Sequence, residues 1–332
     1  MSHNLTNTII VCCCMLCISC SKLENNNPVF PLPPTVDSSS VGQDSLFGWQ
    51  AIGHSRGEAI IDIWFTSLSR GFCTCSDGNI YRSNDAGYTW NIIPNSRSFP
   101  MQSLFFIDDQ YGFAENSNQL EITRDGGKTW AIKPLASRLA LNFLFLNAST
   151  GYYTDLDSGL YKTVDTGNHW IPVYHPSQDK QGLYAYFLND ANGFVISGEG
   201  NCYKTTNGSS TWQEISTGIT NSQTDPIFNT LIFQDAFNGF YATKNGLLKT
   251  TNGGQTWHIV NPAGGLVNII QFTDNLSGYY LSDSAIYKTA DAGETWTTSC
   301  RLSKDTFLGM HFFDQTRGWA CTSGGTVYRL AQ

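Results

Sequence analysis

Short apolar runs alternate with turns rich in Asp, Asn, Ser and Gly along most of the chain. Between residues 101 and 133 the apolar residues fall into four runs, 101–107, 111–115, 119–123 and 129–133. Runs of this length, bounded by turn residues, predict β-strands joined by tight turns. After the first twenty residues, no segment has the caps and the 3.6-residue period of a helix. The pattern therefore predicts an all-β protein.

The same group of four strands recurs about every forty residues. Six copies of an octet, Ser/Thr, any, Asp/Asn, any, Gly, any, Thr, Trp, end at Trp90, Trp130, Trp170, Trp212, Trp257 and Trp296. Their third positions are Asp85, Asp125, Asp165, Asn207, Asn252 and Asp291. His169 replaces Thr in the third copy and Ser209 replaces Gly in the fourth. A seventh tryptophan, Trp49, has no octet before it.

A second repeated signature precedes each octet, and its glycine lies 18 or 19 residues before the octet's tryptophan. It is an aromatic-rich run, usually Asp or Asn, and then Gly with an aromatic residue. Its seven pairs are Gly71/Phe72, Gly112/Phe113, Gly151/Tyr152, Gly193/Phe194, Gly239/Phe240, Gly278/Tyr279 and Gly318/Trp319. Four-stranded units of about forty residues, repeated radially, are typical of a β-propeller. Seven signatures predict seven four-stranded antiparallel blades over residues 47–332.

The two ends of the repeat region predict how the propeller closes. The last unit supplies strands at 306–313, 318–322 and 326–330 but no tryptophan strand. The first tryptophan strand, 47–52, lacks the rest of its unit. We expect this N-terminal strand to complete the C-terminal blade and so remove an exposed sheet edge.

The chemistry of the octet favours a structural role. The Asp or Asn side chain can accept hydrogen bonds from backbone N–H groups of its own turn, and the Thr hydroxyl adds a further local hydrogen bond. Gly allows the left-handed backbone conformation that the turn needs. The indole is then expected to pack against the next blade. The alternative is that these aspartates are catalytic carboxylates or metal ligands.

The octet resembles the Asp-box, which occurs in sialidases, some glucan hydrolases, sortilin-type receptors and proteins similar to the photosystem II stability/assembly factor. The resemblance to this last group covers essentially 47–330 and includes the second signature. It implies a non-catalytic scaffold that docks a protein client, through arginines in that family. The sialidase resemblance is weaker, because the Arg-Ile-Pro motif is absent and those enzymes have six blades.

The first 46 residues predict export. Residues 9–20 form an apolar stretch of about twelve residues, too short to span a bilayer, which is typical of a signal peptide. Residues 17–20 resemble a lipobox, which implies a lipid on Cys20 as first mature residue. Residues 21–46 predict a flexible tether. We expect a membrane-anchored lipoprotein in the periplasm or on the cell surface.

Composition excludes several functions. The chain has 27 Asp plus Glu against 19 Lys plus Arg, so a broad basic face for nucleic acid is not expected. No dinucleotide or P-loop fingerprint occurs, and the histidines are scattered, so we expect neither cofactor nor metal. Five cysteines lie in the propeller, namely Cys73, Cys75, Cys202, Cys300 and Cys321. We expect buried, inert thiols and a monomer.

A basic crescent is the sharpest functional feature. Arg56, Arg97 and Arg138 lie seven or eight residues after successive tryptophans, and Lys180, Arg301 and Lys304 extend the arc. Equivalent positions in consecutive units become neighbours around a propeller axis. Guanidinium groups bind carboxylates through paired hydrogen bonds, so the crescent predicts capture of an acidic protein segment or an acidic glycan. The alternative is a set of solvated loop arginines that happen to align.

Two longer connections add candidate contacts and an enzymatic alternative. Tyr174 and His175 begin the loop at 173–183, and 216–229 forms another, so both are expected to contact a partner. His175 and Asp179 could form an acid/base pair, but the sequence supplies no nucleophile for them. The alternative function is glycoside hydrolysis or glycan binding, for which Glu58 and Asp225 are the exposed carboxylates.

Overall fold

The protein is described by a computed structural model. The structure describes residues 46–54, 58–93, 101, 103–116, 119–133, 135, 140–155, 159–174, 183–197, 201–215, 230–243, 246–261 and 267–330. Within these ranges the regular structure is 28 strands in seven four-stranded antiparallel sheets, which we call blades 1 to 7. None of these residues forms a helix long and apolar enough to cross a membrane. The prediction of a seven-bladed all-β propeller is confirmed.

Each blade uses consecutive strands, from the innermost outwards. The bounds are as follows: blade 1, β2 (Ile60–Phe65), β3 (Gly71–Cys75), β4 (Ile80–Ser83) and β5 (Asn91–Ile92); blade 2, β6 (Ser103–Phe106), β7 (Gly112–Asn116), β8 (Gln119–Thr123) and β9 (Ala131–Lys133); blade 3, β10 (Ala140–Phe145), β11 (Gly151–Asp155), β12 (Leu160–Thr163) and β13 (Ile171–Tyr174); blade 4, β14 (Leu183–Phe187), β15 (Gly193–Ser197), β16 (Cys202–Thr205) and β17 (Gln213–Ile215). The others are blade 5, β18 (Leu231–Phe233), β19 (Gly239–Thr243), β20 (Gly246–Thr250) and β21 (His258–Asn261); blade 6, β22 (Ile269–Phe272), β23 (Gly278–Leu281), β24 (Ala285–Thr289) and β25 (Thr297–Arg301); and blade 7, β26 (Phe307–Phe312), β27 (Gly318–Thr322), β28 (Thr326–Leu330) and β1 (Trp49–His54).

Blade 7 joins the two ends of the described chain. Strand β1 pairs antiparallel with β28, from Trp49 opposite Leu330 to His54 opposite Thr326. The Trp49 indole is buried, lies edge-on against Phe312 at 5.7 Å, and donates to the Ser299 hydroxyl of blade 6 at 3.1 Å. The predicted closure is confirmed.

A closed ring of aromatic contacts between blades explains the second signature. The aromatic residue after each signature glycine pairs with the phenylalanine that ends the inner strand of the next blade. All seven pairs are stacked, as in Tyr152 with Phe187 (3.6 Å) and Phe194 with Phe233 (3.6 Å). Trp319 of blade 7 stacks on Phe65 of blade 1 at 3.8 Å and completes the circuit. The other contacts are Phe72–Phe106, Phe113–Phe145, Phe240–Phe272 and Tyr279–Phe312.

The same phenylalanine explains why the signature residue is glycine. A Cβ on Gly193 would lie 2.4 Å from Phe187 Cδ1, and one on Gly318 would lie 2.3 Å from Phe312 Cδ1. No side chain can occupy that space while the ring remains there. The glycine therefore lets the inner-strand ring lie flat between two blades.

Long cations lie across these aromatic pairs. The residue before the octet is basic in five of the six copies, namely Arg82, Lys162, Lys204, Lys249 and Lys288, and Arg329 occupies the equivalent position in blade 7. Lys162 Nζ lies 5.3 Å from the centroid of Tyr152 and donates to the Gly208 carbonyl of blade 4 at 3.3 Å. Lys249 Nζ lies 5.7 Å from Phe240 and contacts Glu294 of blade 6 at 2.6 Å. Lys162 and Lys249 thus connect blades 3 and 5 to the octets of blades 4 and 6.

The octet tryptophans pack against their own and the preceding blade, so the expected contact with the next blade was wrong. Trp296 contacts Phe272 of its own blade and Phe240 of blade 5, and Trp212 contacts Tyr174 of blade 3. The reason lies in the fifth octet position, which sits against the preceding blade. A Cβ on Gly127 would meet Phe72 of blade 1 at 2.5 Å. The octet turn therefore lies close to the preceding blade, and the tryptophan at its end contacts that blade as well as its own.

Candidate functional site

The octets form closed hydrogen-bond networks within their own turns. In the first copy the Ser83 hydroxyl donates to Asp85 Oδ1 at 2.8 Å, and the Thr89 N–H donates to the same oxygen at 2.9 Å. The Thr89 hydroxyl donates to Asp85 Oδ2 at 2.6 Å. Asp125 and Asp291 repeat this pattern, and in the third copy the His169 ring nitrogen lies 2.6 Å from Asp165 Oδ2. Both carboxylate oxygens of each Asp are therefore occupied locally.

The electrostatics of the octet agree with this arrangement. Hydrogen bonds from the Thr295 hydroxyl and N–H lower the pKa of Asp291 to about 2. The His169 N–H and ring lower the pKa of Asp165 to about 2. A catalytic acid needs a pKa near the working pH, and these carboxylates are shifted away from it. The octets can hold turns, but they are poor acid or base groups.

The two octets with Asn keep the same geometry. Asn207 accepts the Thr211 N–H at 2.9 Å and donates to its hydroxyl at 2.8 Å, and Asn252 does the same with Thr256. Ser209 takes the fifth position of the blade 4 octet with a φ of 76°, in the left-handed region that the other copies fill with Gly. Its buried hydroxyl has no hydrogen-bond partner among the described residues.

The octets lie on the same face as the turns between the first two strands of each blade. Ala86 of the blade 1 octet donates its N–H to Ser69 O at 2.8 Å, and Ala292 of the blade 6 octet donates to Leu276 O at 2.8 Å. We call this the octet face. The outer strands end, and the inner strands begin, on the opposite face, which we call the loop face.

Only part of the predicted loop-face site lies within the described residues. Arg56, Arg97, Arg138, Lys180 and His175 fall outside them, as do Cys20 and Asp225. Arg301 ends β25, is exposed, and donates to the Tyr287 hydroxyl at 2.8 Å, with its guanidinium 5.9 Å from that ring. Tyr174 ends β13 and is half-buried against Tyr203 and Trp212 of blade 4. These two residues lie on different blades and are not in contact.

The carboxylates and histidines considered for catalysis are dispersed. Glu58 is exposed and accepts the Ser76 hydroxyl at 2.8 Å. His258 lies 3.8 Å from Glu294, whereas His311 is buried beside Trp64 at 4.3 Å. No three His, Cys, Asp or Glu side chains in the described part of the chain could share a metal ion.

Two buried acids whose pKa values are raised were not singled out from the sequence. Asp62 lies in the inner strand of blade 1, where its Oδ2 accepts the Leu104 N–H of blade 2 at 2.8 Å. Burial raises the pKa of Asp62 to about 8, and burial together with the Asp62 charge raises the pKa of Glu115 to about 8. Both acids are therefore largely neutral at pH 7. The signal was visible, because Asp62 interrupts the apolar run from Ile60 to Phe65.

All five cysteines of the propeller are buried free thiols, as expected. Burial raises the pKa of Cys202 to about 12 and raises the pKa of Cys73 and Cys321 well above the usual value. A thiol is nucleophilic as the thiolate, so these shifts make the groups unreactive.

These features define a class of protein, a seven-bladed Asp-box propeller whose motif carboxylates hold the blade turns. Residues 167–330 match the sequence model of the family described as Photosynthesis system II assembly factor YCF48. A Photosystem II assembly lipoprotein Ycf48 from Synechococcus sp. (strain CC9902) is 27% identical over 177 residues. That match covers 51% of this chain and 52% of the relative, so the similarity spans about half of each. The chain is therefore similar to this family over residues 167–330, just under half of its length.

Solved structures with the same fold include proteins of different function. A structure of YCF48 bound to a D1 peptide is 17% identical, with a TM-score of 0.65, and the match covers 86% of this chain and 97% of that one. A GH74 xyloglucanase from Xanthomonas campestris is 12% identical, with a TM-score of 0.65, covering 84% of this chain and 52% of the enzyme. At these identities the likeness concerns the fold.

Proposed function

We propose that this protein is a non-catalytic scaffold that docks a protein client at the cell envelope. The similarity to the assembly-factor family over residues 167–330 is the observation that carries this proposal. The D1 peptide bound to the solved YCF48 supports a peptide or protein client as the class of ligand. The octet carboxylates, which are held by their own turns, offer no alternative chemistry on that face.

The basic crescent on the loop face is the proposed docking surface. It consists of Arg56, Arg97, Arg138, Lys180 and Arg301, with Tyr174 and His175 as neighbouring contacts. Arg301 illustrates how such a residue is presented, because Tyr287 supports the guanidinium from one side while the side chain stays exposed. A guanidinium held in this way can pair with a client carboxylate at little further cost in side-chain entropy.

A lipid on Cys20 would hold the propeller beside a membrane. The apolar stretch at 9–20 and the tether at 21–46 support this part of the proposal, and the Synechococcus relative is named a lipoprotein. A tether of some twenty-five residues would let the loop face reach clients inserted in that membrane.

Glycan binding or glycoside hydrolysis is the second candidate, and the fold likeness to a xyloglucanase favours it. Hydrolysis needs two carboxyl groups facing each other across the bond. Of the candidates, Glu58 is exposed near Ser76, and Asp225 lies outside the described residues. The client-docking function therefore has the broader support.

A pull-down from detergent-solubilised envelopes tests the proposal. Residues 21–332 serve as bait beside an Arg56→Glu, Arg97→Glu, Arg138→Glu variant. Arg124→Glu, Lys128→Glu, Lys288→Glu is the matched control, because it reverses three exposed charges on the octet face. We expect a discrete protein to be recovered by the wild type and the control and to be lost with the crescent variant.

Recovery of the same proteins by all three baits would exclude the crescent as the docking surface. Recovery of no protein, together with binding or cleavage of an acidic or β-glucan oligosaccharide, would favour the glycan alternative.

A further inference from the structure

A cavity opens on the octet face between blades 4, 5 and 6. Its volume is about 230 Å³, and its apolar walls come from Tyr186, Leu188, Ile232, Phe233, Ile270 and Phe272. Gln234, Gln271, Asp274 and Asn275 form its polar part. This is smaller than the ~300–1,000 Å³ of typical small-molecule sites, so it suits a single inserted side chain.

Tyr186 supplies an unused polar group in this wall. The side chain is 3% exposed, and its ring packs against Phe233 with a centroid distance of 6.3 Å. No described residue makes a hydrogen bond to its hydroxyl, and burial is the cause that raises its pKa. The hydroxyl oxygen is not one of the fully buried polar atoms that lack a partner, so it keeps contact with solvent in the cavity, where a carbonyl of a ligand could accept its hydrogen bond.

Gln234 and Gln271, in contrast, are already engaged. Gln271 exchanges two hydrogen bonds with the Phe312 backbone, at 2.8 and 3.0 Å, and Gln234 donates to the Asn275 carbonyl at 3.3 Å. These hydrogen bonds fix the polar part of the wall, and the Tyr186 hydroxyl is a donor that the described residues leave available.

The rim of the cavity is acidic and partly apolar. The turns of blades 4, 5 and 6, at 188–192, 234–238 and 273–277, carry three Asp and no Lys or Arg. Partial burial raises the pKa values of Asp235 and Asp274, but hydrogen bonds lower both below the ordinary value. These bonds come from the turns themselves and, for Asp274, also from the Gln315 amide of blade 7 at 2.5 Å. Phe237 and Leu276, in two of these turns, are exposed by 63% and 59%. A side chain inserted into this cavity would therefore contact apolar walls, and the residues on either side of it in the ligand would lie near negative charge.

We propose that this cavity, the octet-face cavity, docks a basic peptide segment of a partner protein through one inserted apolar side chain. The Asp190, Asp235 and Asp274 carboxylates pair with Lys or Arg on either side of the anchor. The Tyr186 hydroxyl donates to a carbonyl of the bound segment. The protein's own tether does not fit, because 21–46 contains three acidic residues and one Lys. The cavity lies on the face opposite to the crescent, so the two sites can be tested separately.

The test uses fluorescein-labelled peptides and fluorescence anisotropy on residues 21–332. The main probe carries one phenylalanine between two pairs of arginines. A second probe has serine in place of phenylalanine, and a third has glutamates in place of arginines. We expect saturable binding of the first probe, with at least tenfold weaker binding of the other two.

Variants of the protein locate the site. Asp190→Asn, Asp235→Asn, Asp274→Asn removes the charge without removing the turn caps, because Asn147 and Asn189 cap the same turns in blades 3 and 4. Ile232→Trp fills the cavity, and Tyr186→Phe removes the hydroxyl. We expect at least tenfold weaker binding for the first two and about threefold weaker binding for the third.

Asp108→Asn, Asp109→Asn is the matched control, since both exposed residues lie in the equivalent turn of blade 2, away from the cavity. It should change affinity less than twofold. If this control weakened binding of the first probe as much as the cavity triple variant does, the affinity would depend only on the overall charge of the protein, and the proposal would be overturned. So would unchanged binding to Ile232→Trp, or no binding of the first probe at millimolar concentration. Each of these results would leave the crescent and the proposed function unaffected.

Discussion

Replacing Ser209 with glycine should stabilise the propeller. Ser209 occupies the fifth position of the blade 4 octet, where the five other octets have Gly. Its φ of 76° lies in the left-handed region, and its hydroxyl is buried without a partner among the described residues. Its N–H donates to the Thr205 hydroxyl at 3.0 Å, and glycine would retain that bond. The substitution therefore removes two unfavourable features and leaves the octet closed.

The magnitude follows from three opposing effects. A non-glycine residue in the left-handed region costs about 1–2 kcal/mol. A buried hydroxyl without a partner costs about 1–3 kcal/mol. Glycine loses about 0.5–1 kcal/mol more through the flexibility of the unfolded chain. We expect a net gain of about 2 kcal/mol in the free energy of unfolding, which corresponds to a rise in Tm of about 4 °C for a domain of this size.

Differential scanning calorimetry and urea titration of two further variants separate these effects. Ser209→Ala removes the hydroxyl but keeps the strained backbone, so it should give about half the gain. Gly254→Ser places the same residue in blade 5, where φ is 88° and a Cβ would lie 3.5 Å from Cys202 Sγ, an ordinary contact. It should cost about 1–2 kcal/mol. An unchanged or lower Tm for Ser209→Gly would refute the reasoning about the fifth octet position.

Three further predictions concern the ring, the ends and the buried acids. Gly193→Ala should cost at least ~1–3 kcal/mol by urea titration, because the new Cβ would lie 2.4 Å from the Phe187 ring, which is stacked on Tyr152. Adding Phe187→Leu should restore part of that loss, and no restoration would argue against the clash. Trp49→Ala should cost about 3–5 kcal/mol, because it empties a buried site in blade 7 and leaves the Ser299 hydroxyl without its donor; a loss below ~1 kcal/mol would show that β1 is not needed for closure. Asp62 and Glu115 have folded pKa values of about 8, above their ordinary 3.8 and 4.5, so stability should fall as pH rises from about 4 to about 8. The octet carboxylates Asp125, Asp165 and Asp291 have folded pKa values of about 2, so their contribution should be lost as pH falls from about 4 to about 2. Urea midpoints between pH 2 and 9 check both slopes, and Asp62→Asn, Glu115→Gln should flatten only the alkaline one.

The sequence was sufficient for the fold because each blade repeats the same local chemistry. The residue types of the octet predict the hydrogen bonds of its turn, and the Gly-aromatic pair indicates where the second strand begins. The number of blades, the strand order and the closure could therefore be predicted. The direction of the tryptophan contacts could not. It depends on the tilt between neighbouring sheets, which places Gly127 under Phe72 of the preceding blade.

The candidate sites were harder to predict because they depend on residues far apart in sequence. Tyr186, Ile232 and Ile270 come together only when three blades are assembled. The interblade cations were also missed, although Lys162, Lys204 and Lys249 occupy one repeat position, because a basic residue in an outer strand is usually a solvated one. The apolar run around Asp62 indicates burial, but the raised pKa of Asp62 also depends on its packing against blade 2, which the local sequence does not show.

Site-specific photo-crosslinking in intact native cells tests the proposed client docking most directly. A benzophenone amino acid at position 97 probes the crescent, and the same residue at position 128 probes the octet face away from the cavity. The account predicts a discrete crosslinked protein from position 97 that is absent from position 128. The absence of any protein adduct at position 97, or identical adducts from both positions, would contradict it.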